Sequence, residues 1–221
     1  MQLDINANIM DINNAYAAKN RTLLADKHIL TLNIMGSPGA GKTTLLENLL
    51  ALLRNNLHIA VIEGDLATAK DADRIASLGI DVIQINTDGA CHLDAKMISQ
   101  VLGGFDLERV DLLIIENVGN LVCPAGFDLG EDLRIVVMST AEGSDKPAKY
   151  PGAFLAADWL ILTKMDLLKY LDFDLQAAQA DVKNIKPSIE IFQTFCSKKE
   201  IAGIDKVANA IINLVNEKKL S

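Results

Sequence analysis

Cys91 and His92 are adjacent in a stretch of turn residues, Asn86-Thr87-Asp88-Gly89-Ala90, and Cys123 stands in a second loop-like stretch. Thiolate and imidazole are the donors that suit Zn²⁺ and Ni²⁺. The alternative is that both cysteines are small buried hydrophobes, as free cysteines often are. They do not have the C-x-x-C spacing of a closed structural zinc site. Three donors from one chain leave a site incomplete, which suits an ion that must leave again. A two-fold dimer could bring two such sets together. Residue types alone leave metal and packing open. Cys196 reads as packing, and His28 and His58 as solvent-edge residues at element starts.

A second chemistry is written in Gly36-Ser37-Pro38-Gly39-Ala40-Gly41-Lys42-Thr43. This fits G-x-x-x-x-G-K-[ST], in which glycine-rich backbone N–H groups close around phosphates. Lys42 is placed to reach the β/γ-phosphates and the Thr43 hydroxyl to sit on Mg²⁺. The motif requires a strand before it and a helix after it, whose N-terminus adds partial positive charge. Ile29 to Met35 reads as a buried strand and Thr44 to Leu53 as a helix.

Carboxylates recur at strand ends. Leu57 to Ile62 reads as a strand ending at Glu63-Gly64-Asp65, and Leu112 to Ile115 as one ending at Glu116-Asn117-Val118-Gly119. The carboxyl edge of a parallel sheet is where ligands bind. Asp65 is then a candidate for Mg²⁺ contact or for orienting an attacking water, against a plain cap or turn aspartate. Glu116 is placed to hold Mg²⁺ through water, and Gly119 to sense a γ-phosphate. Because Cys123 follows Gly119 closely, nucleotide state could change metal geometry directly. Further on, Thr163-Lys164-Met165-Asp166 has the form [NT]-K-x-D. A carboxylate at Asp166 can accept from guanine N1–H and the 2-amino group, a donor pair adenine lacks. Lys164 can lay its stem over the ring, and Ser197-Lys198 would complete the base pocket.

The elements that must position these groups alternate strand and helix. Further strands are expected at Asp81–Ile85, Ile135–Met138, Trp159–Leu162 and 189–195, with helices over 68–78, 93–102, 173–184 and 203–218. Such alternation implies an α/β fold: a mostly parallel sheet with helices on both faces. Residues 1–28 form a lead-in. Ile5, Ile9, Ile12, Tyr16 and Leu23 make one helical stripe with Asn and Lys opposite, read as the face packed on the rest of the domain, residues 29–221. A docking arm for a partner is the alternative. With 221 residues, half hydrophobic, and a formal net charge of −8, the chain reads as a soluble globular protein. The acidic balance argues against nucleic acid. No apolar run is long enough to span a membrane and no signal peptide is evident, so a cytoplasmic location is expected.

Taken together, these residues resemble the HypB family, the hydrogenase nickel-incorporation GTPases of the SIMIBI class of P-loop NTPases. The resemblance rests on Gly36 to Thr44, Val61-Ile62-Glu63-Gly64-Asp65, Cys91-His92-Leu93-Asp94-Ala95 and Ile115 to Pro124. It continues through Phe127-Asp128-Leu129-Gly130, Glu142-Gly143, Lys149-Tyr150-Pro151 and Lys164-Met165-Asp166-Leu167. It implies a three-layer P-loop NTPase fold and a dimerising, Mg²⁺-dependent GTPase that helps load nickel into [NiFe] hydrogenase. It further implies nucleotide contacts by Gly36 through Thr44, with Lys42, Asp65 and Glu116 serving turnover. Cys91, His92 and Cys123 would bind Ni²⁺ or Zn²⁺ near the dimer interface, and the usual partner is the small zinc protein HypA. These residues carry neither the N-terminal cysteine motif nor the His-rich segment of some members, so nickel storage is not implied. Rival readings are a urease-type nickel GTPase, a metal buffer whose nucleotide only sets conformation, and a small-molecule kinase.

Overall fold

The computed structural model describes residues 5–65, 75, 77–196 and 201–220, with backbone alone for residues 5–8 and Asp65. Most of the helix expected over 68–78, and both Ser197 and Lys198, lie outside the described residues. The main sheet has seven strands in the order β3-β2-β4-β1-β5-β6-β7. These are β1 (Leu30–Met35), β2 (Ile59–Asp65), β3 (Asp81–Asn86), β4 (Leu112–Glu116), β5 (Leu133–Ser139), β6 (Trp159–Thr163) and β7 (Glu190–Gln193). Every neighbouring pair runs parallel. Antiparallel pairing among the described residues is confined to a small hairpin, β8 (Phe195–Cys196) with β9 (Ile201–Ala202), and one bridge between Gly36 and Asn120. β2 runs further than expected, because Gly64 and Asp65 still pair with Ile85 and Asn86. No helix among the described residues is long and apolar enough to cross a membrane.

A strand buried on both faces needs apolar residues at every position rather than at alternate ones. β1 and β4 are both buried throughout and are apolar but for Thr31, Asn33 and Glu116. On one face lies α2 (Lys42–Leu53), whose Leu45, Leu46, Leu49, Leu50 and Leu53 are buried at helical spacing. It shares that face with α7 (Ile204–Leu220), which contributes Val207, Ile211 and Val215. The opposite face is covered in two parts. Over β2 and β4 lie α1 (Ile5–Asp26) and α3 (Ala95–Val101). Over β5 and β6 lie α5 (Pro151–Ala156) and α6 (Leu175–Ile185), just after the single turn α4 (Lys146–Lys149). β1 has β4 on one side and β5 on the other, so the chain's next strand, β2, is not its neighbour. That reversal of winding opens a crevice at the carboxyl end of β1, where ligands bind in open α/β sheets.

α1 corrects the expectation for the lead-in. The residues it buries are Asn13, Ala17, Asn20 and Leu24, whereas Ile9, Ile12 and Leu23 are 49%, 51% and 40% exposed. Leu24 joins an apolar cluster, but two amides also face inward because part of the surface they meet is backbone. Asn13 and Asn20 hydrogen-bond to backbone groups of Ala95, Asp128 and Leu129. An amide that satisfies buried backbone groups avoids a cost of about 1–3 kcal/mol for each orphaned one.

Candidate nucleotide and metal site

The glycine loop connects β1 to α2, as the motif requires. Gly39 and Gly41 both hold φ near the left-handed region, at 78° and 93°. Gly36 has no room for a side chain, since a Cβ there would lie 2.5 Å from the Val137 carbonyl oxygen. Lys42 is buried and donates to the Gly36 carbonyl at 3.2 Å, folded back across the loop it serves. Thr43 donates its hydroxyl to Glu116 Oε1 at 2.9 Å. The pair a magnesium ion needs, a hydroxyl from the loop and a carboxylate from β4, therefore already meets.

Glu63 belongs with them. It is 3% exposed and in register with Glu116 on the adjacent parallel strand. Buried carboxylates on neighbouring strands, whose backbones run about 5 Å apart, attract a cation or a proton. Asp65 closes the same strand. The sequence did hold the signal for Glu63: an acidic residue inside an otherwise apolar strand.

The base-recognition turn is locked to the glycine loop. Thr163 donates to the Ala40 carbonyl at 2.6 Å and Lys164 Nζ to the Gly39 carbonyl at 2.8 Å. Lys164 holds φ at 57°, and Thr140 braces it by donating to its carbonyl at 2.8 Å. Asp166 is exposed in the turn that follows. A cleft of about 110 Å³ opens between these parts, lined by Gly41, Thr44, Thr163, Lys164, Phe195 and Cys196 among others. Burial pushes the Cys196 thiol pKa up, with the Asp166 charge adding to it, so the sulfur stays protonated beside this cleft.

Cys91, His92 and Cys123 converge. Their ligand atoms all lie within 4.8 Å of one another, with Cys91 Sγ 3.5 Å from His92 Nδ1. A hydrogen bond shared with Cys123 holds the Cys91 thiol above its ordinary pKa, and burial adds to this. Burial lowers the His92 pKa against the pull of Asp94, favouring the neutral imidazole that binds metal. Two neighbouring sulfurs and a neutral ring are a donor set fit for Zn²⁺ or Ni²⁺, with coordination positions left open.

Each loop is anchored deep in the fold. Leu93 is fully buried and fills the space above Gly64, where a Cβ would lie 2.7 Å from Leu93 Cγ. The Leu93 and Val118 N–H groups both donate to Asn117 Oδ1 at 3.0 Å. Asn117 donates to Asn33 at 3.2 Å, and Asn33 to Glu131 at 3.0 Å. Glu131 accepts from Arg134 Nε at 2.7 Å, and Arg134 donates on to the Ala125 and Phe127 carbonyls at 3.1 and 3.2 Å. The Phe127 ring then meets the His92 ring, centroids 4.0 Å apart. The result is a closed circuit from the Cys91–His92 loop, under the sheet edge, to the loop that carries Cys123. Motif reading missed Asn33, Asn117, Glu131 and Arg134 as parts of this site. The one visible clue was Asn33, a lone amide in the apolar strand Leu-Thr-Leu-Asn-Ile-Met.

The two sites touch. Asn120 bridges to Gly36 of the glycine loop and donates to the Cys91 carbonyl at 3.3 Å. Gly119 lies so close to Pro38 that a Cβ would sit 3.1 Å from the proline ring.

The chain is similar to known proteins in sequence and fold. Residues 30–193 match the family model described as CobW/HypB/UreG, nucleotide-binding domain. The hydrogenase maturation factor HypB of Escherichia coli K12 is 45% identical over 94% of this chain and 71% of its own length. Among solved structures, the hydrogenase maturation factor HypB from Archaeoglobus fulgidus superposes with a TM-score of 0.86 at 36% identity, covering 93% of this chain and 99% of that one. HypB from Helicobacter pylori in complex with nickel superposes with a TM-score of 0.85 at 39% identity, covering 93% and 95%. Matched by the family model across its sheet and by full-length relatives across nearly all of its residues, the chain belongs to the HypB family of P-loop nucleotide-binding proteins.

Proposed function

We propose that the protein is a GTP-hydrolysing metallochaperone that carries nickel toward [NiFe] hydrogenase and releases it in response to nucleotide state. The observation that carries this reading is Asn120, which touches the glycine loop at Gly36 and the metal loop at Cys91. A shift of the loop that follows β4 on loss of the γ-phosphate reaches Cys91 through Asn120 and Cys123 through the chain itself.

In this reading Thr43, Glu116 and Asp65 hold Mg²⁺, with Glu63 adding negative charge beside them. The ion supplies electrostatic stabilisation of charge on the transferred phosphoryl group. Lys42 gives up its bond to the Gly36 carbonyl to reach the β/γ-phosphates. Backbone N–H groups of residues 36–44 surround the phosphates, and Gly119 offers its N–H to the γ-phosphate. Thr163 and Lys164 keep the base turn fixed to the glycine loop, so Asp166 meets guanine at a set height above the phosphates. Ser197 and Lys198, outside the described residues, would complete the base pocket. Cys91, His92 and Cys123 take the cargo ion, Ni²⁺ or Zn²⁺. A second copy of the chain completes the coordination in a homodimer, formed with nucleotide or metal. The working partners are a HypA-type zinc protein and the precursor of the hydrogenase large subunit, met in the cytoplasm. Nucleic acid and membrane are not partners. Residues 1–28 act as an accessory helix to the GTPase domain of 29–221.

The test is metal affinity, by equilibrium dialysis with elemental analysis, in the presence of GDP and of a non-hydrolysable GTP analogue. Wild type is expected to bind about half to one ion per chain, with different affinities in the two nucleotide states, and Cys91→Ala to bind none. Equal affinity in both states would sink the switch. Steady-state phosphate release that persists in Lys42→Ala would sink the enzyme.

A further inference from the structure

Asn13 and Asn20 stand on the buried face of α1 at 4% and 1% exposure. Each spans the same two segments. Asn13 accepts from the Ala95 N–H at 2.9 Å and donates to the Asp128 carbonyl at 2.8 Å. Asn20 donates to the Ala95 carbonyl at 2.8 Å and to the Leu129 carbonyl at 3.0 Å. Ala95 follows directly on Cys91-His92-Leu93-Asp94, and Asp128-Leu129 follow the turn that runs from Cys123 to Phe127. The two side chains thus join the chain just past one metal loop to the chain just past the other.

We propose that Asn13 and Asn20 are positioning residues for the metal site, and that α1 is a splint setting the distance between the two loops. The inference rests on the reading of Cys91, His92 and Cys123 as a metal site. Two bridges fix orientation as well as spacing, where one would leave a hinge. Between them the helix backbone comes so close to Gly130 that a Cβ there would lie 2.7 Å from the Ala17 carbonyl oxygen. Gly130 also holds φ at 93°. Ala17 and Leu24 dock the helix by burial, but the two amides share that buried face while the larger Ile9, Ile12 and Leu23 are exposed, so burial of carbon is only part of the docking. The circuit through Asn117, Asn33, Glu131 and Arg134 joins the same loops from the sheet side. The trio of ligands is therefore held between two layers of hydrogen bonds. Groups that orient metal ligands from outside the coordination shell commonly set affinity by about 10–100-fold.

The experiment measures Ni²⁺ and Zn²⁺ affinity of the full chain by competition with a chromophoric chelator, at a temperature well below unfolding. It also records the thiolate-to-Ni²⁺ charge-transfer absorption at saturation. Wild type, Cys91→Ala, Asn20→Ala and Asn13→Asp are compared. Asn13→Asp keeps the acceptor for Ala95 and loses the donor to Asp128. Both asparagine variants are expected to bind about tenfold more weakly with an altered absorption band, while nucleotide affinity stays within about twofold. A role in docking alone lowers the melting temperature but leaves affinity and band as in wild type, and that result overturns the proposal. Should Asn20→Ala not fold, Asn13→Ala carries the same comparison. If wild type itself binds neither ion, the metal-site reading falls first and this inference with it.

Discussion

The phosphate-binding edge and the thiol site lie side by side but are built from different materials. The first is mostly backbone: glycines whose missing side chains admit close approach, a helix start, and carbonyls that tether Lys42, Thr163 and Lys164. The second is built from side chains, with Asn33, Asn117, Glu131 and Arg134 holding loops whose regular structure is one 3-10 turn, Pro124–Gly126. A backbone site needs fixed spacing along the chain, so it leaves a motif. A side-chain site needs only convergence in space, so it leaves scattered amides and acids. The first is specified by the local chain, the second by the whole fold.

That contrast sets what each substitution should do. Lys42→Ala should have the largest effect. Loss of one group aimed at developing charge costs on the order of 10²–10³ in turnover. Phosphate release should fall that far while metal affinity in the GDP state is unchanged. Metal affinity falling equally would show that the two regions are not separable. Arg134→Lys is the converse. It keeps a charge beside Glu131 but cannot fork to both the Ala125 and Phe127 carbonyls. Chelator competition should show metal affinity down about tenfold, with nucleotide binding intact. Gly119→Ala probes the seam. The new methyl must push Pro38 by a few tenths of an ångström. Each ligand should still bind, but the difference in metal affinity between the two nucleotide states should shrink to within about twofold, a modest coupling energy lost. A full difference retained would place the coupling elsewhere.

The smallest effect belongs to the rim. Arg21 and Asp128 pair at 2.7 Å, but the two side chains are 45% and 38% exposed. Burial raises the Asp128 pKa, yet the Arg21 and Gly130 hydrogen bonds outweigh it and hold the carboxyl below its ordinary value. A depressed carboxylate stabilises the fold above its unfolded pKa of about 3.9, and that contribution fades as pH falls through the folded value. Arg21→Met should therefore cost under about 1 kcal/mol near neutral pH. Urea unfolding of variant and wild type should converge below about pH 4.

Most of the fold was legible because its strands are buried on both faces, and continuous apolar runs ending in glycine or acid mark such strands. The fold class, the glycine loop and the Thr43–Glu116 meeting followed from order and spacing. α1 was misread for a physical reason. Amphipathic patterning assumes that a helix buries only carbon, and this one buries two amides against backbone groups beside Ala17 and Leu24. Asn13 and Asn20 look like solvent-facing residues until the segments at 95 and 128–129 are brought beneath them. Arg134 was hidden for a similar reason, since its partners are carbonyls of a loop whose path no local pattern sets.

The Asn13 and Asn20 bonds to Asp128, Ala95 and Leu129 close separations of 115, 75 and 109 residues. α1 precedes in the chain the segments it joins and can seat only after residue 129 exists, and closing loops of that length is a slow step in folding. The thiol site thus depends on the same kind of distant closure as the sheet, whose β1 joins β4 and β5 across comparable separations. In the metal-site reading, tight metal retention then reports that α1 and the loops after β3 and β4 have all met.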